Sequence, residues 1–223
     1  AGTTGSTHIT NTGSVVGADG AAAVSIQENT TGTATIDNSG TIGPDDAGTV
    51  TSTTMAIVET GGAVTINNSG EINGNISVAS ATFNNEAGGT WTVSGTSVFG
   101  TLSTIDNAGT IDLLNGAAIS SADGLTFAIT NSHTIDSWGT TSITGTITNT
   151  GTIEVNSGTL TLFGSLSGTG SVTLDADATL KLEGTVTQTV TFSGGNAELE
   201  IGTDTFGGTI AGLSTTDKID LTS

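Results

Sequence analysis

The chain has no cysteine, no arginine and no tyrosine, and only one proline and one methionine among its 223 residues. Without cysteine there are no disulfides and no thiolate metal sites. Its only cations besides two histidines are Lys181 and Lys218, set against 21 acidic residues, for a formal net charge of −19. The acidic count is ordinary, so the charge reflects missing cations. Phosphate backbones are neutralised by clustered Lys and Arg, so nucleic acid is excluded as a partner. Anionic lipid surfaces are disfavoured on the same ground, whereas a divalent cation such as Ca²⁺ remains compatible. No apolar run reaches eighteen residues, so no helical transmembrane segment is expected. The first residues, Ala1-Gly-Thr-Thr-Gly, lack the basic start and apolar stretch of a signal peptide, and there is no initiator Met. A processed chain or a segment of something larger is the expectation.

What is present is Gly, Thr, Ser, Ala and Asn arranged in a repeated phrase. It reads Ile9-Thr-Asn11-Thr-Gly13-Ser-Val15, Ile36-Asp-Asn38-Ser-Gly40-Thr-Ile42 and Ile66-Asn-Asn68-Ser-Gly70-Glu-Ile72. It returns at Ile105–Ile111 and Ile147–Ile153, with degenerate copies at Phe83-Asn-Asn85-Glu-Ala87 and Ile129-Thr-Asn131-Ser-His133-Thr-Ile135. The seven first residues span 138 positions in six intervals, a mean of 23, with individual spacings from 17 to 30. A fixed phrase at a variable spacing describes stacked coils of constant cross-section whose insertions leave at the surface.

Within each copy the period is two. Val64, Ile66, Asn68, Gly70 and Ile72 share one parity, which is strand-like. Gly, Thr, Ser and Asn are poor helix formers, and no 3.6-residue apolar period competes. The expected fold is all-β, a parallel β-helix of about ten short coils, each a strand spacing of 4.7–4.9 Å thick, giving a rod about 45 Å long. Residues 1–155 carry the Asn-x-Gly coils. Residues 156–223 lose the phrase but keep the alternation, as in Leu160-Thr-Leu162 and Leu180-Lys-Leu182, and read as further coils of one continuous domain. The last stretch, Phe206 to Leu221, carries no polar cap of the kind solenoids need. More chain or another subunit is expected to cover it. The Asn-x-Gly centre is expected to bend, with Gly taking a positive φ. Asn11, Asn38, Asn68, Asn85, Asn107, Asn131 and Asn149 would then stack as an amide ladder, inward or at a corner.

The repeated Ile-x-Asn-[Ser/Thr/Ala]-Gly-x-Ile phrase, over residues 9–155, resembles the β-helical passengers of autotransporters and haemagglutinin-like adhesins of bacterial surfaces. The Gly-Thr-Ile-x-Gly-Leu and Asp-x-Ile-Asp-Leu pieces between Phe206 and Leu221 are similar to a segment of very large secreted proteins. The resemblance implies a right-handed parallel β-helix, an extracellular or cell-surface address, and a structural or adhesive role. Self-association, neighbouring domains of the same protein, glycans or a host surface are the partners it implies. The chain lacks an autotransporter's membrane barrel and the Gly-Gly-x-Gly-x-Asp nonapeptide of calcium-binding toxin repeats.

Chemistry has few candidates. A polysaccharide lyase or hydrolase is the alternative function. A lyase of this fold resembles a carboxylate calcium site beside a catalytic cation, and here only two lysines exist, both away from the repeat. A hydrolase needs two carboxylates facing one groove, and Asp45-Asp46 or Asp175 with Asp177 could supply a pair, although such residues favour solvated turns. Asp175 and Asp177 are the candidate Ca²⁺ ligands, Asp45-Asp46 is weighed in the same way, and Asp204, Asp217 and Asp220 near the tail follow at lower weight. Asp175-Ala-Asp177 is expected to place both carboxylates on one side of a strand. His8 and His133 sit in no metal-ligand spacing, and His133 occupies the Gly slot of its phrase. Trp138, between Ser137 and Gly139, is the candidate ligand contact. Trp91 is the second, with core packing as its competing role. Outward Thr-x-Thr arrays raise an ice-binding module as a further alternative, against which the irregular coil length argues.

Overall fold

The computed structural model describes residues 5–17, 21–28, 32–45, 49–100, 102–122, 127–202 and 206–222. The fold is a parallel β-solenoid with no α-helix among the described residues. Each coil contributes a short strand to each of three walls. Wall 1 is an eight-stranded sheet running from Ser6–Asn11 through Thr33–Asn38, Ala63–Asn68, Ala81–Asn85, Thr104–Asn107, Ala128–Asn131 and Thr146–Asn149 to Leu166–Ser167. Wall 2 runs from Ser14–Val15 to Thr209–Ala211, and wall 3 from Val24–Gln27 to Lys218–Leu221. Parallel strands need a long return path, and here the other two walls of each coil provide it.

The eight strands of wall 1 mark about eight full turns, and the isolated bridges Leu166–Val186 and Val186–Phe206 carry the column two levels further. Residues 156–223 thus continue the same stack, with Ser171–Leu174, Thr189–Phe192 and Thr209–Ala211 on wall 2 and Thr179–Leu182, Glu198–Ile201 and Lys218–Leu221 on wall 3. Insertions leave at the corners. The 27- and 30-residue spacings therefore do not disturb wall 1, where Ile9, Ile36 and Ile66 lie in strict register. Two strands, Thr134–Ile143 and Thr152–Leu162, pass unbroken from wall 2 into wall 3, with a register shift at Ser137/Trp138 that turns the corner.

Alternation sends columns of apolar residues inward from each wall, and one column of each is the most regular. On wall 1 these are Ile36, Ile66, Phe83, Ile105, Ile129 and Ile147; on wall 2 they include Ile42, Ile72, Ile111, Ile135 and Ile153. β-Branched side chains suit a pleated surface buried on its inner face. One aromatic stack thickens the core. Trp91 meets Phe83 edge-on at 5.0 Å and Phe99 at 5.8 Å, and Phe99 stacks on Phe127 at 5.8 Å.

The glycines of the phrase act differently from expectation. Among the described residues positive φ occurs at ten other glycines, including Gly43, Gly74 and Gly168, but not at Gly13, Gly40, Gly70, Gly109 or Gly151. For Gly40, Gly70, Gly109 and Gly151 the reason is crowding along the rod, whereas a Cβ on Gly13 would meet nothing within 4 Å. A Cβ on Gly40 would lie 2.0 Å from the Gly13 carbonyl oxygen, and one on Gly70 would lie 2.2 Å from that of Gly40. The degenerate third gap is resolved in the same terms. Two extra residues follow Asn85, and Gly89 takes the crowded slot, where a Cβ would meet the Asn68 oxygen at 2.3 Å. His133 alone brings a side chain to this column. There the bond from the Thr134 N–H to the Gly109 oxygen stretches to 3.3 Å, whereas the equivalent bond from Thr152 to His133 is 2.7 Å.

Candidate functional site

The seven asparagines form one continuous ladder at the corner between walls 1 and 2. Each side-chain N–H donates to the side-chain oxygen of the next coil: Asn11 to Asn38 at 2.8 Å, Asn38 to Asn68 at 2.7 Å, Asn68 to Asn85 at 2.8 Å. Asn85 to Asn107, Asn107 to Asn131 and Asn131 to Asn149 are all 2.7 Å. The second proton of each amide goes to a backbone carbonyl one coil on, such as Thr41, Glu71 and Thr134. Asn107 is 1 % exposed, and its amide is satisfied on both sides.

Gln188 and Glu59 are among the buried polar residues that sequence reasoning missed. The coil after Asn149 has no Asn, and Gln188 closes the ladder. Its Oε1 accepts from Asn149 at 3.0 Å, and its amide N–H donates to the carbonyls of Asn149 at 2.6 Å and Ser167 at 3.0 Å. Gln188 stands two residues after Val186, as Asn149 does after Ile147, and its longer side chain reaches past Gly168 of the intervening coil; without the Asn and Gly of the phrase it carries no repeat signal. Glu59, 2 % exposed on the inner side of wall 3, accepts backbone N–H bonds from Gly62 at 2.7 Å and Ala79 at 3.0 Å.

The outer face of wall 1 carries two side-chain columns. One holds His8 followed by Thr35, Thr65, Thr82 and Thr104, in register. The other holds Thr10, Asp37, Asn67, Asn84, Asp106 and Thr130. Asn84 donates to Asn67 at 2.8 Å and Asn67 to Asp37 at 2.7 Å, while His8 Nε2 lies 2.7 Å from the other Asp37 oxygen. The Asn67 hydrogen bond, then His8, hold the Asp37 carboxyl below its usual range.

Wall 2 carries an outward row of acids. Asp112 is in register with Asp136, and Asp136 with Glu154. Burial pushes Asp112 up; burial and then Asp112 push up Asp136; burial and then Asp136 and Asp175 push up Glu154. The Asn156 amide, at the bulged corner, lies 3.5 Å from Asp136.

The candidate calcium ligands are dispersed. The strand ends at Leu174, so Asp175 and Asp177 lie on a turn and not along one strand face, and Asp177 has φ +61°. Asp175 accepts from the Ser193 hydroxyl and Asp177 from the Asn196 amide at 3.3 Å. Asp217 accepts backbone N–H bonds from Ser214 at 2.7 Å and Ala197 at 3.0 Å, and the Ser214 bond foremost lowers its pKa. Asp220 is exposed on the last strand, in register with Glu200. Among the described residues no three His, Asp or Glu side chains are placed to share a metal ion. Asp45 accepts from Ser14 Oγ, while Asp46 and Asp204 lie outside the described residues.

The two tryptophans part company. Trp91 is 0 % exposed, and its indole N–H donates to the Gly74 carbonyl at 3.0 Å. It belongs to the core, because its parity points inward between Ile72 and Ile111, and no ligand reaches it. Trp138 is 47 % exposed at the bulged corner between walls 2 and 3. Among the described residues no helix is long and apolar enough to cross a membrane. Compared with family models, curated proteins and solved structures, the chain matches none.

Proposed function

We propose that this chain is a structural or adhesive segment of a secreted bacterial cell-surface protein, acting as a stiff rod without catalysing a reaction. The observation that carries this reading is the amide ladder. The repeated residues, Ile, Asn and Gly, are all spent on stacking coils at minimal separation, so the repeat serves length and rigidity. The faces left outward are Thr, Ser, Asn and acidic side chains, which keep a rod solvated in an aqueous exterior. The last strand, Lys218–Leu221, exposes Ile219 and Leu221, the latter 73 %. A row of unpaired backbone groups beside apolar side chains favours pairing with a further strand, from a neighbouring domain or another copy of this chain. Trp138, exposed like Phe163, is the aromatic we assign to contact with a surface glycan. Negative-stain electron microscopy of the purified chain, with and without Ca²⁺, tests the reading. Rods about 40–50 Å long, or strings of them, are expected from the strand spacing; compact globular particles refute it.

The acidic row on wall 2 favours a second reading, a polysaccharide-acting enzyme. Stacked carboxylates one strand spacing apart, pushed up in pKa, resemble the separation and tuning of a glycosidase pair. A reducing-end assay across a glycan panel distinguishes the two. Release that disappears in Asp136→Asn favours the enzyme, and no release favours the rod.

A further inference from the structure

The repeat phrase builds a groove as well as a ladder. In Ile-x-Asn-small-Gly the Asn turns inward, so position x and the small residue face outward on either side of it. Stacked, they leave a trough along the rod between the column Asp37, Asn67, Asn84, Asp106 and the turn residues Ser39, Ser69 and Ala108. Two cavities occupy it end to end. One, of about 180 Å³, lies between Asp37 and Glu86, and the other, of about 160 Å³, lies between Glu86 and Thr130. They share Glu86 as a common wall.

The two halves differ in how far their polar groups are committed. Around the first, Asp37, Asn67 and His8 satisfy one another. Around the second, the carboxylates of Glu86 and Asp106 and the Thr130 hydroxyl have no side-chain partner among the described residues, and the Asn84 amide oxygen accepts no bond. The trough therefore offers acceptors in excess and no cation.

We propose that this trough on wall 1 binds a neutral, hydroxyl-rich polysaccharide chain lying parallel to the rod axis. Size selects a chain. Each cavity is below the roughly 300–1,000 Å³ of a pocket for one drug-sized ligand, so each takes one small unit, and filling the row requires linked units. Charge selects neutrality, because uronate or phosphate groups would meet Glu86 and Asp106 with nothing to compensate them. Hydrogen-bond polarity selects hydroxyls, which donate to free carboxylate and amide oxygens. A peptide strand is disfavoured because the trough is the face of a sheet, whose backbone groups are already paired along the stack. The site lies on wall 1, apart from the acid row on wall 2, and it requires neither end-to-end assembly nor catalysis.

Native affinity electrophoresis tests it, with soluble xylan, galactomannan or dextran cast in the gel and polygalacturonate as the anionic control. The expected result is retardation of the wild type by at least one neutral glycan and none by polygalacturonate. Ala108→Leu and Thr130→Leu, which fill the trough from exposed positions, should each weaken binding about tenfold or more. Asp106→Ala, which removes an acceptor without adding bulk, should also weaken it. Circular dichroism identical to the wild type confirms that each variant remains folded. No retardation by any of the three neutral glycans overturns the proposal. Retardation by polygalacturonate alone, or equal retardation of folded variants and wild type, does so as well. Microscopy reads assembly and electrophoresis reads the trough, so either reading can fail while the other stands.

Discussion

Asn and Gly hold the coils together by opposite means, one by filling a place and the other by leaving it empty. Asn107→Ala would orphan a donor on Asn85 and an acceptor on Asn131, both buried. Each orphan costs about 1–3 kcal/mol, so urea denaturation should show a loss in at least that range. The outward Asn67, although hydrogen-bonded to Asp37, is open to water. Asn67→Ala should change stability by no more than about 0.5 kcal/mol. Gly70→Ala presses a methyl onto the Gly40 carbonyl at 2.2 Å and should cost about 1–3 kcal/mol by overpacking, measured the same way. The position of Gly in the phrase was plain from the sequence, but its reason was not. Propensity suggests a positive φ, whereas the collision is with a residue 27 or 30 positions earlier, visible only once the coils are stacked. Gln188 escaped for a related reason: it completes a column to which its own coil contributes no Asn.

At the scale of the strand, alternation was readable almost everywhere, because period two with Gly-rich corners has no helical competitor here. It failed where the chain leaves a strand. Asp175 and Asp177 looked like same-side neighbours, yet the strand ends at Leu174 and the pair is spread around a turn. Conversely, Asp112, Asp136 and Glu154 attracted no notice, since 24 and 18 residues separate them in the chain and register alone stacks them. The row has a pH signature. A carboxyl whose pKa is raised by folding subtracts stability while ionised, and that penalty is lifted as pH falls through the folded value. Asp37 and Asp217, held below their ordinary value of 3.8, act in the opposite sense, and their contribution is lost only as pH falls below it. Stability should therefore rise as pH falls from neutrality through the raised values of the acid row, and fall again once pH drops below 3.8, where Asp37 and Asp217 begin to lose their contribution. Asp136→Asn should raise the urea midpoint at pH 7 and flatten the climb as pH falls from neutrality. An unchanged slope would assign the effect to overall charge.

The whole molecule is a one-dimensional stack in which contacts run mainly between neighbouring coils, so damage should stay local. Ile105→Asp, in the middle of the column, buries a charge without a partner. It should split a single unfolding transition into two, read by circular dichroism against urea. Length and cross-section were evident from the phrase and its mean spacing of 23. The trough was not, because one of its walls is position x, which the phrase leaves open, and the two walls face each other only once the coils are stacked. The ladder has one more property that belongs to the molecule entire. Each amide passes its hydrogen to the next in the same sense, and the carbonyls of Thr41, Glu71, Thr90, Thr110, Thr134 and Thr152 accept only a donor. Flipping one amide would set nitrogen against nitrogen on one side and oxygen against oxygen on the other. The column therefore behaves as a row of aligned compass needles: it has a north and a south, and every Asn reports the same heading from Asn11 to Gln188.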